Sequence, residues 1–138
     1  MEEGRHLAIG ARLDGAPYTT RLTMRGHALV ADEPVEDGGR DEGPRPHELL
    51  CASLASCTLI TVRMYADRKG WPLQSLSVEV RMDRTSANGA VATRLDMAVR
   101  LDGELDADQR ARLMQIAARC PVHRTLLNPI HISIREGA

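Results

Sequence analysis

Three cysteines carry most of the chemistry this sequence could perform: Cys51, Cys57 and Cys120. A thiolate is both a nucleophile and a metal ligand, so its surroundings decide its use. Cys57 falls in the middle of one long helical pattern and Cys120 at the end of another, each on an inward face, so the two could meet. Two buried cysteines acting as small apolar side chains is the plainer reading. Cys120-Pro121-Val122-His123 adds a C-x2-H spacing that could hold a metal with sulfur from Cys57 or Cys51. A zinc site usually needs four ligands, often as two such pairs, and the sequence has no second pair. His47 reads as a solvated first-turn residue and His131 as exposed on a strand. There is no G-x-S-x-G nucleophile elbow and no glycine-rich phosphate loop between a strand and a helix.

The elements that would position these residues are legible. Pro46 to Thr61 is a helical run with no charge between Glu48 and Arg63. Pro suits a first helical position, and a carboxylate at Glu48 suits the positive end of the helix dipole. An uncharged run of about 14 residues is too short for a bilayer, so this reads as a buried central helix. Around Cys57 the helical period gathers Leu50, Ser53, Leu54, Ile60, Thr61 and Met64. Cys51 lies off that stripe, and Glu48 sits about 180° away and roughly 13 Å up an ideal axis. Direct contact between Glu48 and Cys57 thus needs a bent helix or a second subunit. Gly70 and Pro72 form the stop signal.

Before this helix, His6–Leu13 and Pro17–Met24 read as strands around Asp14-Gly15, with a third at His27–Asp32. Glu33–Arg45 is a loop, either functional or a solvated connector. After the helix, the alternations of Leu76–Asp83 and Val91–Leu101 flank Asn88-Gly89, a long hairpin. Asp106 with Gln109 is a capping-box pattern opening a second helix, whose apolar face is Leu113, Ile116, Ala117 and Cys120. Ile130, Ile132 and Ile134 alternate as a closing strand. The expected architecture is α+β, in the order βββ-α-ββ-α-β, with two main helices packed on sheet.

At 138 residues the chain suits one domain and needs no disulfide staple. With 18 basic and 19 acidic residues intermixed, it carries no nucleic-acid footprint. No Phe is present and aromatics are scarce, so there is no base-stacking platform. Met1–Arg5 is acidic and lacks an apolar leader, so no secretory signal is read there. Three thiols in such a chain suggest a reducing compartment, the cytoplasm, where cysteines are more often catalytic or metal-binding than bridging.

Pro46-His47-Glu48-Leu49-Leu50, Ala55-Ser56-Cys57-Thr58, Met64-Tyr65-Ala66, Lys69-Gly70-Trp71-Pro72-Leu73 and Cys120-Pro121-Val122-His123-Arg124 together resemble the OsmC/Ohr family. Ohr denotes organic hydroperoxide resistance and OsmC its osmotically inducible relative. The resemblance runs from about Gly38 to the end. It implies one OsmC-like domain over residues 1–138, an intertwined homodimer and a cysteine-based peroxidase. Cys57 would then be the peroxidatic cysteine and Cys120 the resolving one, with an external dithiol as reductant and neither metal nor bound cofactor. An apolar pocket of Leu50, Leu54, Ile60, Leu113 and Ile116 would favour organic hydroperoxides. Glu48 would hold the guanidinium that supports Cys57. The loop Gly38–Pro44 differs from the Arg-bearing loop of the best-known peroxidase members, so that Arg is assigned by position to Arg40, with Arg25 and Arg63 as alternatives. The alternative function is non-catalytic, a small-molecule-binding or redox-sensing protein using the same pocket. No membrane or nucleic-acid partner is expected.

Overall fold

Alternating apolar and polar residues along Thr20–Met24 make this the middle strand of a three-stranded antiparallel sheet. In the computed structural model the described residues are 6–137; the acidic opening Met1–Arg5 lies outside them. Strands β1 (Gly10–Leu13), β2 (Thr20–Met24) and β3 (His27–Ala31) pair in chain order. Leu13 lies opposite Thr20, and Met24 opposite His27. Arg25 and Gly26 turn between β2 and β3 with φ of 48° and 80°, the left-handed pair that suits a two-residue hairpin. The first two strands are shorter than the sequence suggests. Pro17 has no N–H to give to a ladder, and His6–Ile9 find no partner strand.

The loop after β3 folds back onto it. Asp32 donates its backbone N–H to Pro44 (3.0 Å), and Asp41 donates to the Glu33 carbonyl (3.0 Å). A 3-10 turn at Val35–Asp37 starts the loop. A Cβ on Gly43 would lie 2.1 Å from the Val30 carbonyl oxygen, and one on Gly39 2.0 Å from that of Glu33. Both positions therefore require glycine by close backbone approach.

The chain divides into two compact units, Met1–Leu50 and Cys51–Ala138. Helix α1 (Pro46–Lys69) begins at the end of the first and continues through the second. Its stop is as expected: Gly70 has φ 69°, and Trp71 donates to the Ala66 carbonyl at 2.9 Å while Gly70 donates to that of Asp67. The second unit then forms a long antiparallel hairpin, β4 (Leu73–Ala87) and β5 (Ala90–Gly103), around Asn88-Gly89. Helix α2 (Ala107–Ala117) opens with the expected reciprocal capping box of Asp106 and Gln109. The core of this unit is Val62, Ala66, Leu73, Leu101, Leu113 and Ala117, with Tyr65 and Trp71 packed at its edge.

Three expectations are corrected. A third helix, α3 (Pro121–Leu127), follows α2, because Pro121 favours extended backbone at Cys120 and suits the first position of a new helix. Ile130–Ile134 forms no ladder among the described residues, so the order here is βββ-α-ββ-α-α. Alternation sets which way side chains face but supplies no partner edge. The buried stripe of α1 is Leu54, Thr58, Val62 and Ala66, one step round from the stripe expected about Cys57. Ile60 and Met64 are each 58% exposed.

Candidate thiol site

Helix α1 places Thr58 on its buried stripe and Cys57 on the flank of that stripe, half-buried. Cys120 arrives from the end of α2 and has no exposed surface. It is the N-cap of α3, with extended backbone, and its Sγ accepts the His123 backbone N–H at 3.2 Å. The C-x2-H spacing thus serves a helix cap. The Thr58 hydroxyl lies 2.8 Å from the Leu54 carbonyl oxygen and 3.7 Å from Cys120 Sγ. The Cys57 thiol is a neighbour of Cys120, close enough to disfavour a charge on it. Both thiols are free, as is that of half-buried Cys51.

Desolvation pushes the Cys120 thiol above its ordinary pKa, and the neighbouring Cys57 adds to this. The His123 N–H and the Thr58 hydroxyl favour the thiolate but offset only part of the rise. Cys57 is therefore only half-buried, whereas its neighbour is sealed and held as a thiol.

The remaining expected residues have partners within their own units or stand exposed. Glu48 is exposed and accepts the Arg45 backbone N–H at 2.7 Å, closing the first turn of α1. Arg40 is exposed in the loop, its backbone N–H directed at the Asp32 carboxylate. Arg25 forms the tip of the β2–β3 hairpin. Arg63 pairs with Asp67 at 2.7 Å and donates to the Leu73 carbonyl at 2.9 Å. The expected apolar pocket is not assembled as such: Leu54, Leu113 and Ile116 are buried, but Ile60 is exposed and Leu50 is 38% exposed.

Sequence reading missed Thr58 as a neighbour of sulfur, although its i+4 spacing from Leu54 on an apolar run was a usable signal. It also missed Arg45, whose guanidinium pairs with Asp37 (2.9 Å) and Glu33 (3.6 Å). The first unit carries an open cleft of about 450 Å³ lined by Tyr18, Asp32, Glu33, Asp37 and Pro46 among others. Among the described residues no three His, Cys, Asp or Glu side chains converge as metal ligands. Helix α1 is long and apolar enough, by length and composition alone, to cross a membrane. Leu54, Thr58, Val62 and Ala66 are buried, Val62 and Ala66 of them in the second unit's core, but only 22% of the apolar window is buried, less than expected of a buried central helix.

A half-buried and a buried thiol as neighbours, one from a long helix and one capping a short helix, mark an α+β protein. Residues 39–135 match the family described as OsmC-like protein, and the chain belongs to that family. An OsmC-like protein from Mycoplasma pneumoniae is similar in fold, with a TM-score of 0.78 at 20% identity over 90% of this chain and 89% of that one. An organic hydroperoxide resistance protein OsmC from Legionella pneumophila superposes with a TM-score of 0.69 at 19% identity, covering 91% and 92% of the two chains. For the organic hydroperoxide resistance protein OhrB of Bacillus subtilis the values are 0.63, 18%, 89% and 91%. At these identities the likeness is one of fold. No curated protein sequence matches the chain.

Proposed function

We propose that this chain is a thiol-dependent peroxidase that reduces organic hydroperoxides. The observation that carries the reading is the juxtaposition of a half-buried Cys57 with a fully buried Cys120. The Cys57 thiolate attacks the terminal peroxide oxygen and the O–O bond breaks. The alkoxide takes a proton and leaves as an alcohol, and Cys57 becomes a sulfenic acid. Cys120 then attacks that sulfur, water departs, and a Cys57–Cys120 disulfide remains. An external dithiol reduces it by exchange and is itself oxidised. The dithiol supplies both electrons, so the cycle calls for no metal or bound cofactor. The names of the Legionella and Bacillus proteins support hydroperoxide as the substrate class.

The working unit in this reading is a cytoplasmic homodimer of OsmC-like domains spanning residues 1–138. Ile60 and Met64 are exposed on a helix that is apolar on several sides, and Ile132 and Ile134 are 78% and 94% exposed in the extended tail. A second copy would cover them. Glu48, with Arg40 as the guanidinium it holds, would then support Cys57 from across the two-fold, since an ideal helix keeps Glu48 roughly 13 Å from Cys57 of its own chain.

A second reading, a non-catalytic binding or redox-sensing protein, is favoured by one observation. Arg63, the candidate guanidinium in the same unit as Cys57, is committed to Asp67 and the Leu73 carbonyl. One experiment separates the two. Reduced protein receives one equivalent of an organic hydroperoxide, is quenched with an alkylating agent and is mapped by mass. Rapid formation of the Cys57–Cys120 disulfide, faster than with hydrogen peroxide, supports the peroxidase. Slow oxidation shared equally with Cys51 sinks it.

A further inference from the structure

We infer that Thr58 is a positioning residue that makes exchange at the Cys57–Cys120 pair directional: an incoming thiolate attacks Cys57, and Cys120 is the sulfur expelled. The inference rests on the redox pairing proposed above and names how that pair is opened.

The Thr58 hydroxyl carries one hydrogen and faces two acceptors, the Leu54 carbonyl oxygen at 2.8 Å and Cys120 Sγ at 3.7 Å. Thr58 itself is fully buried, so water offers no alternative partner. While Cys120 is a thiol, the hydrogen is best used on Leu54, the usual back-bond of a helical Thr. The Leu54 carbonyl keeps its helical bond whether or not the hydroxyl stays, because a carbonyl has two lone pairs. When the Cys120 sulfur takes up negative charge, a rotation about one side-chain bond turns the hydrogen to the sulfur. The His123 N–H already donates to the same atom at 3.2 Å. Two donors are thus ready for charge on Cys120, one fixed and one that rotates, and they offset part of the desolvation that opposes its expulsion.

Access points the same way. Cys120 has no exposed surface, whereas Cys57 is half-buried. A thiolate from an external dithiol forms its S–S bond to Cys57 while the Cys57–Cys120 bond breaks. The bonding pair goes to Cys120, which is then protonated. The second thiol of the reductant attacks the mixed disulfide, releases Cys57 as thiolate and leaves as the cyclic disulfide. Two electrons pass from the dithiol to the protein pair.

The test does not depend on peroxide. The pair is closed with diamide, opened with glutathione, quenched early with acid and mapped. Glutathione is expected on Cys57, with Cys120 recovered as free thiol. For rates, dithiothreitol opens the disulfide in wild type, Thr58→Val and Thr58→Ser. Thr58→Val should slow opening roughly tenfold, as for one lost hydrogen bond to a charged atom, and Thr58→Ser should restore it. Thr58→Val should also move alkylation of reduced Cys120 to higher pH, which a purely space-filling role would not do. Glutathione found on Cys120, or wild-type opening in Thr58→Val, overturns directional exchange whatever the peroxide result. If hydroperoxide leaves Cys57 unoxidised yet the diamide-closed pair opens at Cys57, the peroxidase reading falls and directional exchange stands. Failure of diamide to close the pair overturns both.

Discussion

The two facing sulfurs differ in solvent before they differ in anything else. Cys120 is sealed and desolvated, which keeps it protonated, while Cys57 is only half-buried. Because the folded thiol pKa is raised, its stabilising contribution is complete below the unfolded value and is lost as pH rises through the folded one. Iodoacetamide mapping across pH should therefore label Cys57 and Cys51 well before Cys120, and Cys120 should react at neutral pH only once denatured. Labelling of Cys120 at neutral pH in the native protein would contradict the burial described. Glu48 needs two substitutions, because it closes a helix turn as well as carrying charge. Glu48→Gln keeps an acceptor for the Arg45 N–H, so Cys57 oxidation slowed in both Glu48→Gln and Glu48→Ala would assign the effect to charge. Glu48→Ala should cost in addition about 0.5–1 kcal/mol, the order of a lost cap, read by denaturant titration. The cysteines were legible only in part from helical phase: Cys57 lies one step off the buried stripe, and Cys120 stands beyond the end of α2 as the cap of α3. Thr58 was not legible, because a hydroxyl in an apolar run acquires a role only from what a distant segment brings to it.

The loop Glu33–Arg45 behaves as a built element with one carboxylate at its centre. Asp32 is nearly fully buried, and desolvation alone would raise its pKa. The Glu33 N–H, the Thr19 hydroxyl and the N–H groups of Glu42 and Arg40 outweigh that and hold the carboxyl below its ordinary value. A depressed folded pKa gives stability that is present above the unfolded value of about 3.9 and lost as pH falls through the folded one. Asp32→Asn should speed amide hydrogen exchange at Glu33, Arg40 and Glu42 at neutral pH. Wild type should approach the same behaviour only on acidification. Gly43→Ala should destabilise by about 1–3 kcal/mol, since a methyl group must displace the backbone of β3; a thermal melt reads it. Elements with their own local chemistry were legible: the Asn88-Gly89 hairpin, the Asp106–Gln109 box and the Gly70 stop. The ordering of this loop was not, because its acidic, glycine-rich composition is also that of a solvated connector, and the buried role of Asp32 depends on Thr19 from another strand turn.

Across the whole chain, what sequence pattern could not supply is a partner for the last segment. Ile130, Ile132 and Ile134 keep the alternation of a strand yet stand 58%, 78% and 94% exposed. If a second copy covers them, deleting residues 130–138 should convert a dimer to a monomer, measured by light scattering after gel filtration. A truncated chain that remains dimeric would place the contact elsewhere, for example on the exposed Ile60 and Met64 of α1.

The sequence holds one tryptophan, and the fold puts it where it is informative. Trp71 packs edge-on to Tyr65, with ring centroids 5.6 Å apart, at the close of α1 and the rim of the second unit's core. The protein therefore contains its own optical probe. Emission excited beyond the tyrosine band follows the packing of the thiol-bearing unit. Opening and closing of the cysteine pair could be watched by stopped flow, without any label, wherever it alters the seating of α1 on that core.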